Sequence, residues 1–518
     1  DESTGVDLIN DVACQHAVLI ELTGDGVQDV ICSDSAKVQR VWDVTQLPFQ
    51  ELNSVVGNDL YIAWPYDLAV GDFNGDLLSD VFGPGGSSAT NVVSPVGDRV
   101  IHSWFDSNVA FDAGYNFNAV GAVTFEFDWW TAVEEIFIGA AGTNPADSSY
   151  QLTYPGQLPG QAPRHVVFTL TADQAQGIAP RDPSVTRGVY IGVVDGQWQV
   201  RFSGIDSWMI GMVVRASTSV SQLSTVGGAL LGQPTGGSPY LFLQNASHQL
   251  VDSSNLIQAV NRSCGSAVAG DLDNDMDLDV YVACTGDLSN LPNVVYENQG
   301  DGTLMPVPLA GGAEGQMPEG RADTVSLGDY DNDGRLDVLV TNGHLFRPFS
   351  YAGQMQLFRN TGGSGNHWIQ ADLEGVTSNR DGIGAIVYAI TPDGKIQLRE
   401  NGNGAHKKSQ NFPRIHFGLA QNTTVDLQVH WPSGLVDTFR NLQADQIHTL
   451  AEGSGGNADY VLSVGNVAVN EGAGAAVFTV YLSPAPGAGE SVVVSSQTQD
   501  GSAVAGSDST TTAGTLTY

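Results

Sequence analysis

Four segments of this chain place oxygen-bearing side chains at alternate positions: ELTGDGVQD (21–29), DFNGDLLSD (72–80), DLDNDMDLD (271–279) and DYDNDGRLD (329–337). Positions 1, 3, 5 and 9 carry Glu21, Thr23, Asp25 and Asp29; Asp72, Asn74, Asp76 and Asp80; Asp271, Asp273, Asp275 and Asp279; and Asp329, Asp331, Asp333 and Asp337. A hard cation such as Ca2+ takes about six to eight oxygens, and a tight loop with a ligand at every second residue converges them. The spacing predicts calcium in these loops, with Mg2+ as an alternative occupant of the weaker ones. The third and fourth loops offer four carboxylates each and are expected to bind most tightly. Gly26 and Gly334 sit at position 6, where a sharp turn helps, while Leu77 and Met276 replace glycine in the other two. A single loop of this kind reads equally well as an Asx-rich turn without an ion. Four copies of one spacing favour the metal.

The elements that must hold these loops are strands. Each loop runs into a short apolar segment of β type (DVICS, DVFG, DVYVAC, DVLVTNG), and no amphipathic helix precedes any of them. EF-hands are thereby excluded, and each loop is expected to close a β-hairpin. Cys14 and Cys264 lie ahead of the first and third loops, and Cys32 and Cys284 on the strands that follow them. This duplicated placement favours cross-strand disulfides Cys14–Cys32 and Cys264–Cys284 over the other pairings or free thiols.

Loops begin at 21 and 72, and again at 271 and 329, intervals the size of one propeller blade. A second recurring element, YLFLQNASHQL (240–250), NVVYENQGDGTL (293–304) and MQLFRNTGG (355–363), supplies an outer hairpin to each unit. The interval from 72 to 271 is too long for one blade, so a β-sandwich is expected to be inserted over 98–235. Within it His102, Trp104, Asp106, Trp129, Trp130, Glu134, Glu135 and His165 are types that acid–base chemistry on a sugar uses, but no spacing ties them together. His344 in TNGH reads as a turn residue, and His406, Lys407 and Lys408 as a solvated turn. No G-x-S-x-G, HExxH or P-loop occurs.

At 518 residues the chain is long enough for several cores, and with 62 glycines and few charged residues it reads as all-β. Net charge is −37, from 57 acidic and 20 basic residues. No basic stripe exists to neutralise phosphates, which argues against nucleic acid and anionic membrane surfaces. No apolar run is long enough to span a bilayer, so no membrane insertion is expected. Disulfides, and an opening DESTGVD that reads as the end left by a removed signal peptide, point to the extracellular space or cell surface. Asn245, Asn261 and Asn422 lie in N-x-S/T sequons, which matter only in a eukaryotic secretory pathway.

The loops with their apolar tails and the LFxN-type hairpins resemble FG-GAP/VCBS repeats, the blade units of integrin-α-like propellers. Residues 366–452 are similar to the UnbV/ASPIC domain, through SNRDGIGA (378–385), RIHFGL (414–419) and WPSG (431–434). That combination resembles the cartilage acidic protein family and its bacterial relatives. After a linker at 453–459, residues 460–518 resemble part of a Calx-β domain, through NEGAGAAVFTVYLS and QDGSAVAGSDSTTTAGTLTY. This last resemblance marks Glu471, Asp500 and Asp508 as candidate further ligands. The implied division is propeller blades over 1–97 and 236–365 around the insert, then the UnbV/ASPIC and partial Calx-β modules.

The resemblance implies a calcium-stabilised extracellular scaffold or adhesion protein; the early stop of the Calx-β-like module adds the expectation of self-assembly through it. Its partners would be other surface proteins, glycans or copies of itself. The alternatives are a carbohydrate- or protein-binding module and, behind it, a propeller-based sugar lyase or dehydratase.

Overall fold

A computed structural model describes residues 14–34, 39–45, 49–52, 67–86, 91–107, 110–127, 135–147, 152–153, 165–185, 187–204, 208–231, 237–284, 292–315, 321–343, 355–363, 365–406, 409–457, 461–464, 477–478, 480–483, 491–498, 510 and 512–517. Among these the chain is all-β, with only short 3-10 turns besides its strands. No helix among them is long and apolar enough to cross a membrane.

Each acidic run closes an antiparallel hairpin, because the residues on either side are apolar, β-branched and in register. Ile20 pairs with Asp29, Gly71 with Asp80, Gly270 with Asp279 and Gly328 with Asp337. Further strands complete four blade sheets. The first blade is Cys14–Ile20, Asp29–Asp34, Gln39–Asp43 and Gln50–Glu51. The second is Ala69–Gly71, Asp80–Gly83, Tyr240–Gln244 and Leu250–Asp252. The third is Cys264–Gly270, Asp279–Cys284, Val294–Asn298 and Leu304–Pro306, and the fourth Arg321–Gly328, Asp337–Gly343 and Gln356–Phe358.

A blade cannot bury both of its faces alone, so neighbours share cores. Val18, Ile20, Val70 and Val81 join the first two blades, Phe73, Phe82, Val280 and Tyr296 the next two, and Tyr281, Val325 and Val338 the last two. His16, Asp67, Ser266 and Thr324 occupy equivalent positions ahead of the four first-strand ends. They form a buried polar string: His16 Nε2 lies 3.7 Å from Asp67 Oδ1, Ser266 Oγ donates to Asp67 Oδ2 at 2.5 Å, and the Ser266 and Thr324 hydroxyls are 3.4 Å apart.

The second blade is interrupted. Its second and third strands are neighbours (Phe82 pairs with Leu241), yet a whole sandwich lies between them in sequence. One sheet orders Val166–Leu170, Val123–Phe127, Trp208–Ala216, Val100–Ser107, Val92–Val96 and Leu230–Leu231. The other orders Ile136–Ile138, Gly188–Val194, Gln197–Gly204, Phe111–Asn118 and Ser221–Val226. Inward-pointing Phe105, Phe125, Phe202 and Trp198 fill the space between them, an aromatic core in which each truncation to alanine costs about 3–5 kcal/mol. The sandwich starts at Val92, ahead of position 98, because Val92 and Val93 pair in register with Trp104 and Ser103. The chain leaves and re-enters the blade through a narrow neck, where Gly237 N–H donates to Gly86 O at 2.7 Å. A Cβ on Gly85 would lie 1.9 Å from Gly237 O, so glycine is required there.

Beyond the fourth blade a smaller sandwich packs a three-stranded sheet (Ile415–Ala420, His367–Glu374, Gln446–Ala451) on a five-stranded one (Ile396–Glu400, Ile386–Ile390, Thr424–His430, Val436–Gln443, Gly456–Asn457). Ile369, Val387, Phe417, Leu427 and Trp431 form its core. Glu452 anchors the turn at 376–378, accepting the amides of Val376, Thr377 and Ser378 at 2.6, 2.6 and 2.8 Å. Burial alone would raise its carboxyl, but the Ser433 hydroxyl and these amides hold it at about 2. Two hairpins end the described chain, Val461–Val464 with Val480–Ser483 and Val493–Gln497 with Ala513–Thr517.

Candidate metal centre

Loop geometry follows from backbone sign. Position 4 is left-handed in every copy, with Gly24, Gly75, Asn274 and Asn332 at φ of 78°, 73°, 61° and 57°. Position 6 is left-handed too, at Gly26, Leu77, Met276 and Gly334. This explains the alternation of Gly and Asn at position 4, since both tolerate that conformation. Leu77 and Met276 hold it under strain of order 1 kcal/mol each.

The position-1 carboxylate turns into the loop and accepts its amides. Asp72 takes Gly75, Asp76 and Leu77 at 2.8, 3.1 and 3.0 Å, Asp271 takes Asp275 and Met276 at 3.1 and 2.9 Å, and Asp329 takes Asp333 and Gly334 at 3.0 and 2.8 Å. Glu21, one methylene longer, folds back onto the amides of Thr23, Gly24 and Asp25.

Position 9 has a second job. Asp29, Asp80, Asp279 and Asp337 each accept the position-2 amide, at 3.0, 2.9, 3.0 and 3.1 Å. In three blades the other oxygen accepts an amide at the end of the third strand, from Gln244, Asn298 and Asn360. The matching oxygen of Asp29 is buried and, among the described residues, without a hydrogen-bond partner. Those three third-strand side chains reach the preceding blade: Gln244 Nε2 donates to Leu22 O, Asn298 Nδ2 to Phe73 O and Asn360 Nδ2 to Leu272 O. The recurring amide of the outer hairpins is thus an inter-blade clasp. The recurrence was visible in sequence, its purpose was not.

In the third loop Asp271, Asp273 and Asp275 bring carboxylate oxygens within 4.8 Å of one another, and in the fourth Asp329, Asp331 and Asp333 do the same. Among the described residues the first two loops gather no such carboxylate trio, since Thr23 and Asn74 stand at their third positions. Desolvation dominates the electrostatics. It pushes Glu21, Asp29, Asp72 and Asp271 up to about 7 and Asp275 to about 6, with neighbouring carboxylates adding to the rise. Asp80 and Asp279 are raised well above the usual range by the same burial. Convergent carboxylates raised in this way, and an orphaned buried oxygen on Asp29, are what a divalent ion would resolve. The residues present fit Ca2+.

The fourth loop holds cations of its own. Arg359 Nε donates to Asp331 Oδ2 at 2.6 Å, Arg359 Nη2 to Asp333 Oδ2 at 3.0 Å and Arg335 Nη1 to the same oxygen at 3.2 Å.

Cys264 and Cys284 form a disulfide across the third blade's hairpin. Cys32 is also disulfide-bonded, while the Cys14 side chain lies outside the described residues. In the insert, His102 and Trp104 share the outer face of the six-stranded sheet. His165 Nε2 lies 2.9 Å from Glu126 Oε1, and Glu126 also pairs with Arg215. His102 and Glu126 flank Val213 on successive strands, about 10 Å apart by strand spacing, so these groups do not converge. Glu135 instead pairs with Arg187. Trp129, Trp130, Glu134, His344, Lys407, Lys408, Glu471, Asp500 and Asp508, and the side chain of Asp106, lie outside the described residues.

Residues 271–340 match the FG-GAP-like repeat family, and residues 375–457 match the ASPIC and UnbV family. The chain is similar to cartilage acidic protein 1 of Mus musculus and of Homo sapiens, 26% identical over 226 residues and 42% of this chain in each case. The match covers 33% and 32% of those proteins, so it spans about a third of the relatives' length. The Xenopus tropicalis protein of the same name is 26% identical over 190 residues, 36% of this chain and 28% of its own. A group B streptococcus pilus 2b backbone protein structure superposes over 71% of this chain and 98% of its own, with a TM-score of 0.11 and 8% identity, and has no bearing on the fold. This all-β chain carries an FG-GAP-like repeat region joined to an ASPIC/UnbV domain.

Proposed function

We propose that this chain is the rigid core of an extracellular or cell-surface scaffold whose blades are locked by calcium. The observation that carries the reading is the third loop, where three carboxylates converge and burial raises them. Asp271, Asp273 and Asp275 would hold the ion there, Asp329, Asp331 and Asp333 in the fourth loop, and Glu21, Asp25 and Asp29 with Asp72, Asn74 and Asp76 in the first two. When bound, Ca2+ offsets the clustered negative charge and fixes the loop; it stabilises the native state by mass action. The chain's own contribution is to hold position 1 on the loop amides and position 9 on the third strand. The disulfide across the third blade supports an oxidising compartment.

Rigid blades then present loops and the inserted sandwich as a recognition surface for another surface protein, a glycan or a second copy of the chain. Self-assembly is supported by exposed Leu462, Val464, Val493 and Leu516 on the C-terminal hairpins. Calorimetric titration of chelator-stripped protein with Ca2+ tests the metal reading. Saturable binding that disappears stepwise when Asp273 and Asp331 become asparagine supports it, and no binding at millimolar calcium ends it. Sedimentation velocity in calcium and after chelation tests assembly, where a monomer in both conditions removes it.

A further inference from the structure

The ASPIC/UnbV domain meets the acidic loops of all four blades from one side. Buried Glu400, at the end of strand Ile396–Glu400, accepts Glu21 N–H at 3.0 Å and Gln28 Nε2 at 2.7 Å from the first loop, and the Ser79 hydroxyl from the second. Lys395, just ahead of that strand, reaches Asp277 of the third loop at 2.8 Å. Gly418 presses on the same loop so closely that a Cβ there would come within 2.1 Å of Asp271 Oδ2 and 2.5 Å of Asn274 Cα. At the fourth loop Gln370 Nε2 donates to Asp329 Oδ2 at 2.8 Å, and His416 Nε2 lies 3.1 Å from Gly334 O.

These contacts engage loop main chain and position-1 carboxylates together, so they exist only while the loops keep this shape. An ion held at positions 1, 3 and 5 would fix that same shape. We infer that calcium occupancy of the loops and seating of the ASPIC/UnbV domain on the blades are one coupled equilibrium. The inference rests on the calcium reading above. Ions favour the seated domain, and by reciprocity the seated domain raises ion affinity. Without ions the position-1 and neighbouring carboxylates repel, Glu400 faces the like charge of Glu21, and the seat loosens. Arg399 works in the opposite direction: among the described residues it makes no ion pair, and Asp271 and Asp72 offset its charge through space, so ions there reduce that compensation. Lys395, whose charge favours ionised Asp275, acts the same way; these two cations stand against contacts at all four loops, and the coupling is positive.

Hydrogen exchange on the full chain, in calcium and in chelator, separates the possibilities. The expected result is that peptides of the loops and of 396–420 lose protection together on chelation, while the domain's central strand Thr424–His430 stays protected. If calcium protects the loops and 396–420 does not respond, the coupling is wrong and the calcium reading stands. If calcium changes neither, both fall. Two uncharged substitutions on the domain side, Gly418→Ala and Gln370→Ala, are each expected to weaken calcium binding about 5-fold or more, the low end of ordinary coupling. A merely structural role would lower the melting temperature equally with and without calcium and leave affinity unchanged; that outcome in both variants overturns the inference.

Discussion

The third and fourth loops share aspartate at positions 1, 3, 5 and 9 and asparagine at position 4, yet they solve the same electrostatic problem differently. In the third, Asp271, Asp273 and Asp275 face one another with their carboxyls raised by burial, and the nearest bonded cation, Lys395, sits on Asp277 at position 7. In the fourth, Arg359 and Arg335 occupy the outer oxygens of Asp331 and Asp333. Position 6 differs as well. Met276 holds a strained left-handed backbone, whereas Gly334 leaves room for Trp368, which a Cβ would meet at 1.8 Å. Identical spacing therefore gives one loop with buried, converging carboxylates and another that brings part of its own neutralisation. The difference lies at positions 6 and 7 of the loop and in Arg359 beyond it.

The largest expected effect is that of removing calcium altogether. Each site loaded at about a hundred times its Kd contributes about 2.7 kcal/mol, so chelation is expected to lower the unfolding midpoint in urea markedly. A midpoint indifferent to chelator would erase the distinction between the loops. Next come Asp275→Asn and Asp333→Asn compared side by side. The first is expected to weaken calcium binding at its loop about tenfold, ~1.4 kcal/mol, and the second less, because it also removes a contact that Arg359 and Arg335 satisfy. Equal losses by calorimetry would show that the arginines play no part.

The pH response sharpens the same contrast. Burial raises Asp271, Asp72 and Asp29 to about 7 in the folded chain, from about 4 when unfolded. A raised carboxyl contributes stability below the unfolded value and loses it as pH climbs through the folded one. In chelator, thermal melts are therefore expected to fall between about pH 4 and 7; in calcium the fall should flatten, since ionised carboxylates bind the ion. A chelated protein that gains stability over that window would contradict the burial argument. The smallest effect is expected from Arg359→Gln. Losing a half-exposed ion pair costs little, and it should tighten calcium at the fourth loop toward the third.

How much of this could be read from the chain alone varied with the range of the interaction. The four loops, the hairpins they close and the Cys264–Cys284 bridge are local: spacing, β-type tails and cysteine placement specify them within a few residues of each other. The outer hairpins recur visibly, but the role of Gln244, Asn298 and Asn360 depends on a carbonyl in the preceding blade. Glu400 is further out of reach, bonded to Glu21 at a separation of 379 residues, with no pattern around it to mark it. Val92–Val96 reads as propeller in the sequence because nothing in VVSPV distinguishes a blade strand from the edge of a sandwich. In the insert, residue types such as His102 and His165 are suggestive, but pairing register keeps His102 and Glu126 apart.

The neck at Gly85, Gly86 and Gly237 has a consequence for how such a chain is built and rebuilt. Because the blade's second and third strands are already neighbours, the sandwich hangs from two points a hydrogen bond apart and, among the described residues, contributes no strand to the blade sheets. It behaves as a cassette: a short glycine turn from Gly86 to Gly237 would complete the blade without it, and a different domain with closely spaced ends could be spliced in its place. What hangs from this one port can then change while the four blades and their loops stay as they are.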